Sequence, residues 1–122
     1  FFKQKTAYEI SECDWSSDVC SSDLVIRHVR DLLGVVLVMT VNPGFGGQAY
    51  IPLEDKVAEV AAMLEDYDCS VEVDGGIGPS TVADVVSAGA DRLVSGSALF
   101  RDPEGLEHAV SDLRARAEAA QA

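Results

Sequence analysis

One carboxylate and three glycine-rich turns are the residues of this sequence whose types and spacing suit chemistry. Asp74 ends a short segment with valine at positions 71 and 73 and precedes Gly75 and Gly76, and glycines also follow two other segments with apolar residues, within residues 44–47 and at Gly96. Glycine lets the backbone present N–H groups to an anion at close range, while a carboxylate can transfer a proton or bind a metal ion. The pattern therefore indicates a phosphate site with an acid/base group. Tight turns and a turn-forming Asp-Gly pair are the purely structural alternative.

Three apolar segments place these turns in the fold. Residues 35–41 are rich in β-branched side chains, which is typical of a strand buried on both faces, and residues 71–74 and 93–95 are interpreted as two further strands. Helical patterns precede, separate and follow them, at residues 25–33, 52–64, 79–86 and from 102 onward. The order α-β-α-β-α-β-α predicts a parallel sheet with right-handed crossovers, so that the turns share one end of it. A doubly wound sheet and part of a (β/α)8 barrel both fit this order.

The composition indicates a globular domain and argues against two kinds of partner. The chain has 122 residues, of which 48% are hydrophobic, and a net charge of −12. A field of this sign repels nucleic acid and anionic membranes, so we expect neither as a partner. An apolar run long enough to span a membrane and a signal-peptide pattern are both missing from the sequence, which predicts a cytoplasmic protein.

The first 24 residues differ in character from the remainder. They contain the only Trp, two of the three Cys and a repeated Ser-Ser-Asp, and they follow neither a helical nor a strand period. The segment resembles a translated sequencing adapter, and an ordinary disordered tail is the alternative. We therefore predict a non-native or disordered segment at residues 1–24 and a folded domain at residues 25–122.

The three strand-and-turn segments resemble motifs of a known family. Residues 35–48, 71–77 and 93–100 resemble the sixth-, seventh- and eighth-strand motifs of the ribulose-phosphate 3-epimerase family. The resemblance implies the C-terminal portion of a (β/α)8 TIM barrel, strands six to eight with flanking helices. It also implies interconversion of D-ribulose 5-phosphate and D-xylulose 5-phosphate by inversion at C3. An epimerase of another ketose phosphate, such as allulose 6-phosphate, and a phosphate-binding half-barrel without catalysis stay open as alternatives.

The resemblance also implies roles for individual residues. Asp74 matches one of the family's two catalytic aspartates and a ligand of its divalent metal, of the Zn, Fe, Mn or Co class. The positions that match substrate and phosphate ligands are Met39, Gly44, Phe45, Gly46, Gly47, Asp74, Gly75, Gly76, Gly96 and Ser97. The family's other aspartate and its two metal-binding histidines match no residue here, since His28 and His108 lie elsewhere in the pattern. We therefore expect a truncated chain that binds a sugar phosphate but has no epimerase activity alone, and whose open strand edges allow homo-oligomers.

Overall fold

The computed structural model describes residues 26–44 and 46–122. Three strands, β1 (Val35–Met39), β2 (Ser70–Asp74) and β3 (Arg92–Val94), form a parallel sheet in the order β1-β2-β3. The predicted α/β class and parallel sheet are confirmed. The segment predicted at residues 1–24 lies outside the described residues, and so does Phe45.

Four α-helices alternate with the strands or follow them in the described part of the chain: α1 (Glu54–Leu64), α2 (Val82–Ser87), α3 (Ser97–Phe100) and α4 (Leu106–Gln121). Strand β1 ends two residues before the predicted boundary at residue 41. Helix α4 begins at Leu106, later than its predicted start at residue 102, because Gly105 adopts φ +100°, a value outside the helical region. Within the described part of the chain, no helix combines the length and apolar character needed to cross a membrane.

The helix predicted at residues 25–33 is wrong over most of its described length. The regular element there is a short 3₁₀ helix, Arg30–Leu32. Val29 has φ −131° and ψ 12°, which lies outside the α region and interrupts an α-helical hydrogen-bond ladder. The amide of Leu32 donates instead to the carbonyl oxygen of Val29, three residues earlier, at 2.9 Å.

The hydrophobic core lies between one face of the sheet and helices α1 and α2. Alternate strand residues point into it, and the helices bring their apolar stripes to meet them. Its largest contributors are Val36, Val38, Val71 and Val73 from the sheet, Val57, Val60, Met63 and Leu64 from α1, and Val82, Val85 and Val86 from α2. Helix α4 packs against α2. This layer holds the three strands in register and so fixes where their carboxyl ends lie.

The opposite face of the sheet is half-buried or exposed. Its side chains form rows across the strands, and the row nearest the carboxyl ends is Met39, Asp74 and Val94. Asp74 is the last residue of the central strand, β2. The register therefore places this carboxylate in the middle of the sheet, at the edge where the strands end.

Candidate functional site

The carboxyl ends of the three strands open into a cavity of about 430 Å³. Turns from all three strands contribute to its wall. The lining residues are Met39, Val41, Asn42, Pro43, Gly44, Gly46, Gly47, Gln48, Asp74, Gly75, Gly76, Ile77, Val94, Gly96 and Ser97. The structure thus brings together every predicted site residue that it describes. Phe45 was also predicted here and lies outside the described residues.

Asp74 is the one residue with an ionisable side chain in the described lining of this cavity. Its neighbours in the sheet register are Met39 on β1 and Val94 on β3, both apolar. A half-buried carboxylate between apolar side chains can accept or donate a proton on one side of a bound molecule. Chemistry that needs proton transfer from two sides requires a second group from outside the described lining.

Thr40 fixes the backbone that directly follows Asp74. Its side chain is fully buried, and its amide donates to the carbonyl oxygen of Asp74 at 2.9 Å. Its hydroxyl lies 2.5 Å from the carbonyl oxygen of Gly75 and 3.2 Å from that of Asp74, so its single proton is best shared with Gly75. The carbonyl oxygen of Thr40 accepts from the amide of Ile51 at 2.7 Å, which ties down the far end of the first glycine turn. In the sequence, the only sign of this role is one polar residue within an apolar strand.

Gly75 and Gly76 are required by the close approach of two chain segments. Gly75 has φ +122°, and a Cβ atom there would lie 2.5 Å from a methyl carbon of Val41. Gly76 has φ +67°, and a Cβ atom there would lie 2.8 Å from Cβ of Tyr50. Both positions exclude larger residues on steric grounds alone. These glycines therefore have a structural role whether or not their amides contact a ligand.

Space beside the Cα atom is open at three glycines of the other two turns, although the backbone of Gly44, at φ +158°, and of Gly47, at φ +77°, still favours glycine. A Cβ atom at Gly44, Gly46 or Gly96 would have no heavy atom within 4 Å among its described surroundings. Ser97 follows Gly96, and neither its amide nor its hydroxyl has a hydrogen-bond partner among the residues that the structure describes. The space at these residues is available to a bound molecule, and Ser97 has two polar groups to offer it.

Hydrogen bonds tie the turn after β3 to the turn after β2. The hydroxyl of Ser95 donates to the carbonyl oxygen of Ile77 at 2.7 Å. The amides of Leu99 and Phe100 both donate to the carbonyl oxygen of Gly96, at 3.0 and 3.1 Å. The bond from Ser95 holds the third turn beside the second, and the two bonds to Gly96 close the third turn on itself; none of them uses the amide or the hydroxyl of Ser97.

Tyr50 supports the second glycine turn from behind. Its backbone and Cβ pack against Gly76, and its hydroxyl donates to Oε1 of Glu54 at 2.8 Å. Burial of the phenol, and then the adjacent Glu54 carboxylate, raise the pKa of Tyr50 well above its ordinary value. The phenol is therefore a neutral hydrogen-bond donor across the physiological pH range.

The described residues do not by themselves build a metal centre at Asp74. A divalent ion takes several protein ligands, and the described cavity lining offers it no second carboxylate, imidazole or thiol. Among residues 26–44 and 46–122, the acidic and histidine side chains close enough to share an ion are Asp102, Glu104 and His108, at the start of α4. That group does not include Asp74.

A comparison with models of known protein families shows to which family this chain belongs. The model described as the ribulose-phosphate 3 epimerase family matches residues 21–100. The chain belongs to the ribulose-phosphate 3-epimerase family. The resemblance found in the sequence motifs is thereby confirmed. The family match begins at residue 21, which lies inside the segment 1–24 that was predicted to be non-native or disordered.

Three curated relatives from this family share the same level of sequence identity with the chain. The ribulose-phosphate 3-epimerase of Rhodobacter capsulatus is 45% identical over 100 residues, which cover 78% of this chain and 44% of that protein. The ribulose-phosphate 3-epimerase of Escherichia coli K12 is 45% identical over 82 residues, covering 65% of this chain and 36% of that protein. The ribulose-phosphate 3-epimerase of Bacillus subtilis 168 is 45% identical over 94 residues, which cover 74% of this chain and 43% of that protein. The chain thus spans less than half the length of each of these relatives.

Proposed function

We propose that this chain supplies the phosphate-binding side and one proton-transfer group of a ribulose-phosphate 3-epimerase. The observation that carries the proposal is the shared cavity, in which three glycine turns surround the single carboxylate of Asp74. Residues 25–122 then form part of a (β/α)8 barrel, with β1, β2 and β3 as its sixth, seventh and eighth strands. Active sites of such barrels lie at the carboxyl ends of the strands, which is where this cavity opens.

The phosphate group of the substrate binds to the backbone of the turns. Gly44, Gly46 and Gly96 leave open space beside their Cα atoms, so a phosphate oxygen can approach the main chain. Successive backbone N–H groups in turns form concavities that favour anions. Ser97 adds a hydroxyl and an amide that have no other partner in the described part of the chain. In this proposal Met39 lines the reacting end of the substrate, and Gly47, Gly75 and Gly76 complete the wall.

Asp74 transfers the proton at C3 of the ketose phosphate. As its carboxylate takes that proton, the electron pair of the C–H bond moves to form an enediolate whose negative charge rests on the C2 oxygen. Return of the proton from Asp74 regenerates the same epimer, whereas delivery from the opposite face inverts C3. Because Asp74 is the one acid/base group in the described lining, inversion needs a second group from outside it.

A divalent metal of the Zn, Fe, Mn or Co class would stabilise the charge of the enediolate when bound. Asp74 would contribute one carboxylate to that ion, with the other ligands coming from outside the described residues. The described residues therefore lack two contributions to catalysis, and a positioned acid/base group is worth about 10²–10⁴-fold by itself. We infer that this polypeptide alone does not epimerise its substrate at an appreciable rate.

Hydrogen exchange at C3 tests the role of Asp74 without requiring turnover. The chain is incubated in D2O with either D-ribulose 5-phosphate or D-xylulose 5-phosphate, and deuterium at C3 is followed by NMR. We expect exchange in one epimer only, with no interconversion, and its loss in Asp74→Asn. Asp84→Asn, which removes the same charge from the exposed surface of α2, should exchange like the unmutated chain.

Two results would contradict parts of this proposal. Turnover near ~1 s⁻¹, the low end of ordinary enzymes, that depends on Asp74 would show that the chain is catalytically complete. Exchange that persists in Asp74→Asn would remove Asp74 from the reaction.

A ketose phosphate that binds without exchanging in either epimer favours the second candidate, a phosphate-binding module without catalysis. The single acid/base group of the described lining also supports this candidate. D-allulose 6-phosphate in the same experiment distinguishes a hexulose from a pentulose phosphate as substrate.

A further inference from the structure

Arg101 connects two of the turns that line the cavity. It directly follows α3, and its amide donates to the carbonyl oxygen of Ser97 at 3.1 Å. Its side chain reaches the first glycine turn, where a Cβ atom at Gly47 would lie 3.8 Å from Nη2 of Arg101. The backbone of Arg101 is thus anchored at the turn after β3, and its guanidinium lies beside the turn after β1.

The guanidinium of Arg101 has no acidic partner within residues 26–44 and 46–122. Two other arginines of the described residues are paired with acids: Arg116 lies 2.8 Å from a carboxylate oxygen of Asp112, and Arg27 lies 3.8 Å from one of Glu59. The donors of Arg101 are therefore available to an anion that enters the cavity.

The charges around the cavity favour a cation at this position. Asp74 is negative in the described lining, and the chain as a whole carries a net charge of −12. A phosphate monoester brings about −1.5 to −2 further charges at neutral pH. Backbone N–H groups offset only part of this repulsion, whereas a guanidinium offers a full positive charge and a planar set of donors that matches phosphate oxygens.

We propose that Arg101 is a phosphate-binding residue at the edge of the cavity, where it lies between the turns at Gly47 and Ser97. The proposal rests on the proposed function and deepens it, since it adds a side-chain cation to a site otherwise built from backbone groups. Arg101 pairs with the phosphate of the substrate and helps to place the ketose carbons beside Asp74. It takes no part in proton transfer.

The test measures binding of inorganic phosphate to the full chain by isothermal titration calorimetry. Arg101→Met removes the charge and keeps much of the aliphatic stem. Arg114→Met is the matched control, because Arg114 is exposed on α4 and lines a different cavity. We expect Arg101→Met to weaken phosphate binding about ten- to hundredfold, the loss typical of a hydrogen bond to a charged group. Its affinity should also depend less on ionic strength.

Arg101→Lys separates charge from geometry. Lysine keeps the positive charge but lacks the planar fork, so its affinity should fall between those of the unmutated chain and Arg101→Met. If the circular dichroism spectrum of Arg101→Met shows that this variant does not fold, the comparison of Arg101→Lys with the unmutated chain still tests the proposal, because lysine retains the charge and the aliphatic stem. Equal affinity of Arg101→Met, Arg114→Met and the unmutated chain overturns the role of Arg101 and leaves the phosphate site intact. Absence of saturable phosphate binding by the unmutated chain overturns both.

Discussion

The amide of Thr40 donates to the carbonyl oxygen of Asp74 at 2.9 Å, across the point where β1 and β2 end together. The buried hydroxyl of the same threonine bonds to the carbonyl oxygen of Gly75. Two bonds from one residue thus hold the two consecutive peptide groups that follow the candidate catalytic residue. A carboxylate transfers a proton efficiently only when its position is held, so Thr40 is the residue through which the sheet positions Asp74.

Replacing Thr40 by valine keeps its shape and removes the hydroxyl donor. We expect Thr40→Val to lower the free energy of unfolding by about 1–3 kcal/mol, because the Gly75 carbonyl oxygen is left buried without that partner. Urea denaturation measures the change. Thr40→Ser is the control, since it keeps the donor and loses one buried methyl group worth about 0.8 kcal/mol. A valine variant at least as stable as the serine variant would contradict the role of the hydroxyl.

Alanine substitutions at two glycines should separate structure from binding. Gly76→Ala meets Tyr50 and requires a positive φ, so we expect a clear loss of thermal stability. Gly46→Ala has open space around it, and its effect on stability should stay within about 0.5 kcal/mol. The added methyl group at Gly46 should instead weaken phosphate binding. Equal loss of stability in the two variants would show that the first turn is packed as tightly as the second.

The half-buried phenol of Tyr50 makes stability depend on alkaline pH. Its pKa is raised in the folded chain by burial and then by Glu54, so the folded state holds this proton more tightly than the unfolded state. The stabilisation is fully present below the ordinary tyrosine pKa of about 10, and is lost as pH rises above that value toward the folded-state pKa. We expect this alkaline loss to be smaller in Tyr50→Phe. Denaturation curves at a series of alkaline pH values measure it, and identical slopes in both proteins would contradict the assignment.

The unpaired strand edges should cause self-association. In the described sheet, β1 and β3 each pair along one side only, and the exposed apolar side chains near β3 include Val94 at 40% and Phe100 at 79% exposure. Open edges with apolar surface favour pairing with a second chain. Light scattering after size-exclusion chromatography should show a mass that rises with concentration. Val94→Lys should reduce that rise, and a concentration-independent monomer would exclude this prediction.

Much of the site could be predicted because parallel strands bring their carboxyl ends to one edge. Once 35–41, 71–74 and 93–95 are interpreted as parallel strands, the glycine turns and Asp74 must meet, and the cavity brings them together. The motif resemblance then indicated the family, which the comparisons confirm.

Other features depend on contacts between residues far apart in the sequence. Thr40 is a polar residue in an otherwise apolar segment, and only its bonds to the carbonyl oxygens of Asp74 and Gly75 explain its presence there. Met63, near the end of α1, is buried in the core together with side chains of the sheet and of α2. Local patterns carry no information about such partners.

The most direct test of the central claim is a titration of the ¹⁵N-labelled chain with D-ribulose 5-phosphate, followed through its amide NMR signals. The claim is that the sugar phosphate binds in the cavity at the carboxyl ends of the strands. We predict saturable shifts of the amides of Gly46, Gly76, Gly96 and Ser97, with little change at Ser70, at the opposite end of the sheet. Absence of saturable shifts, or shifts concentrated around Ser70, would contradict the claim.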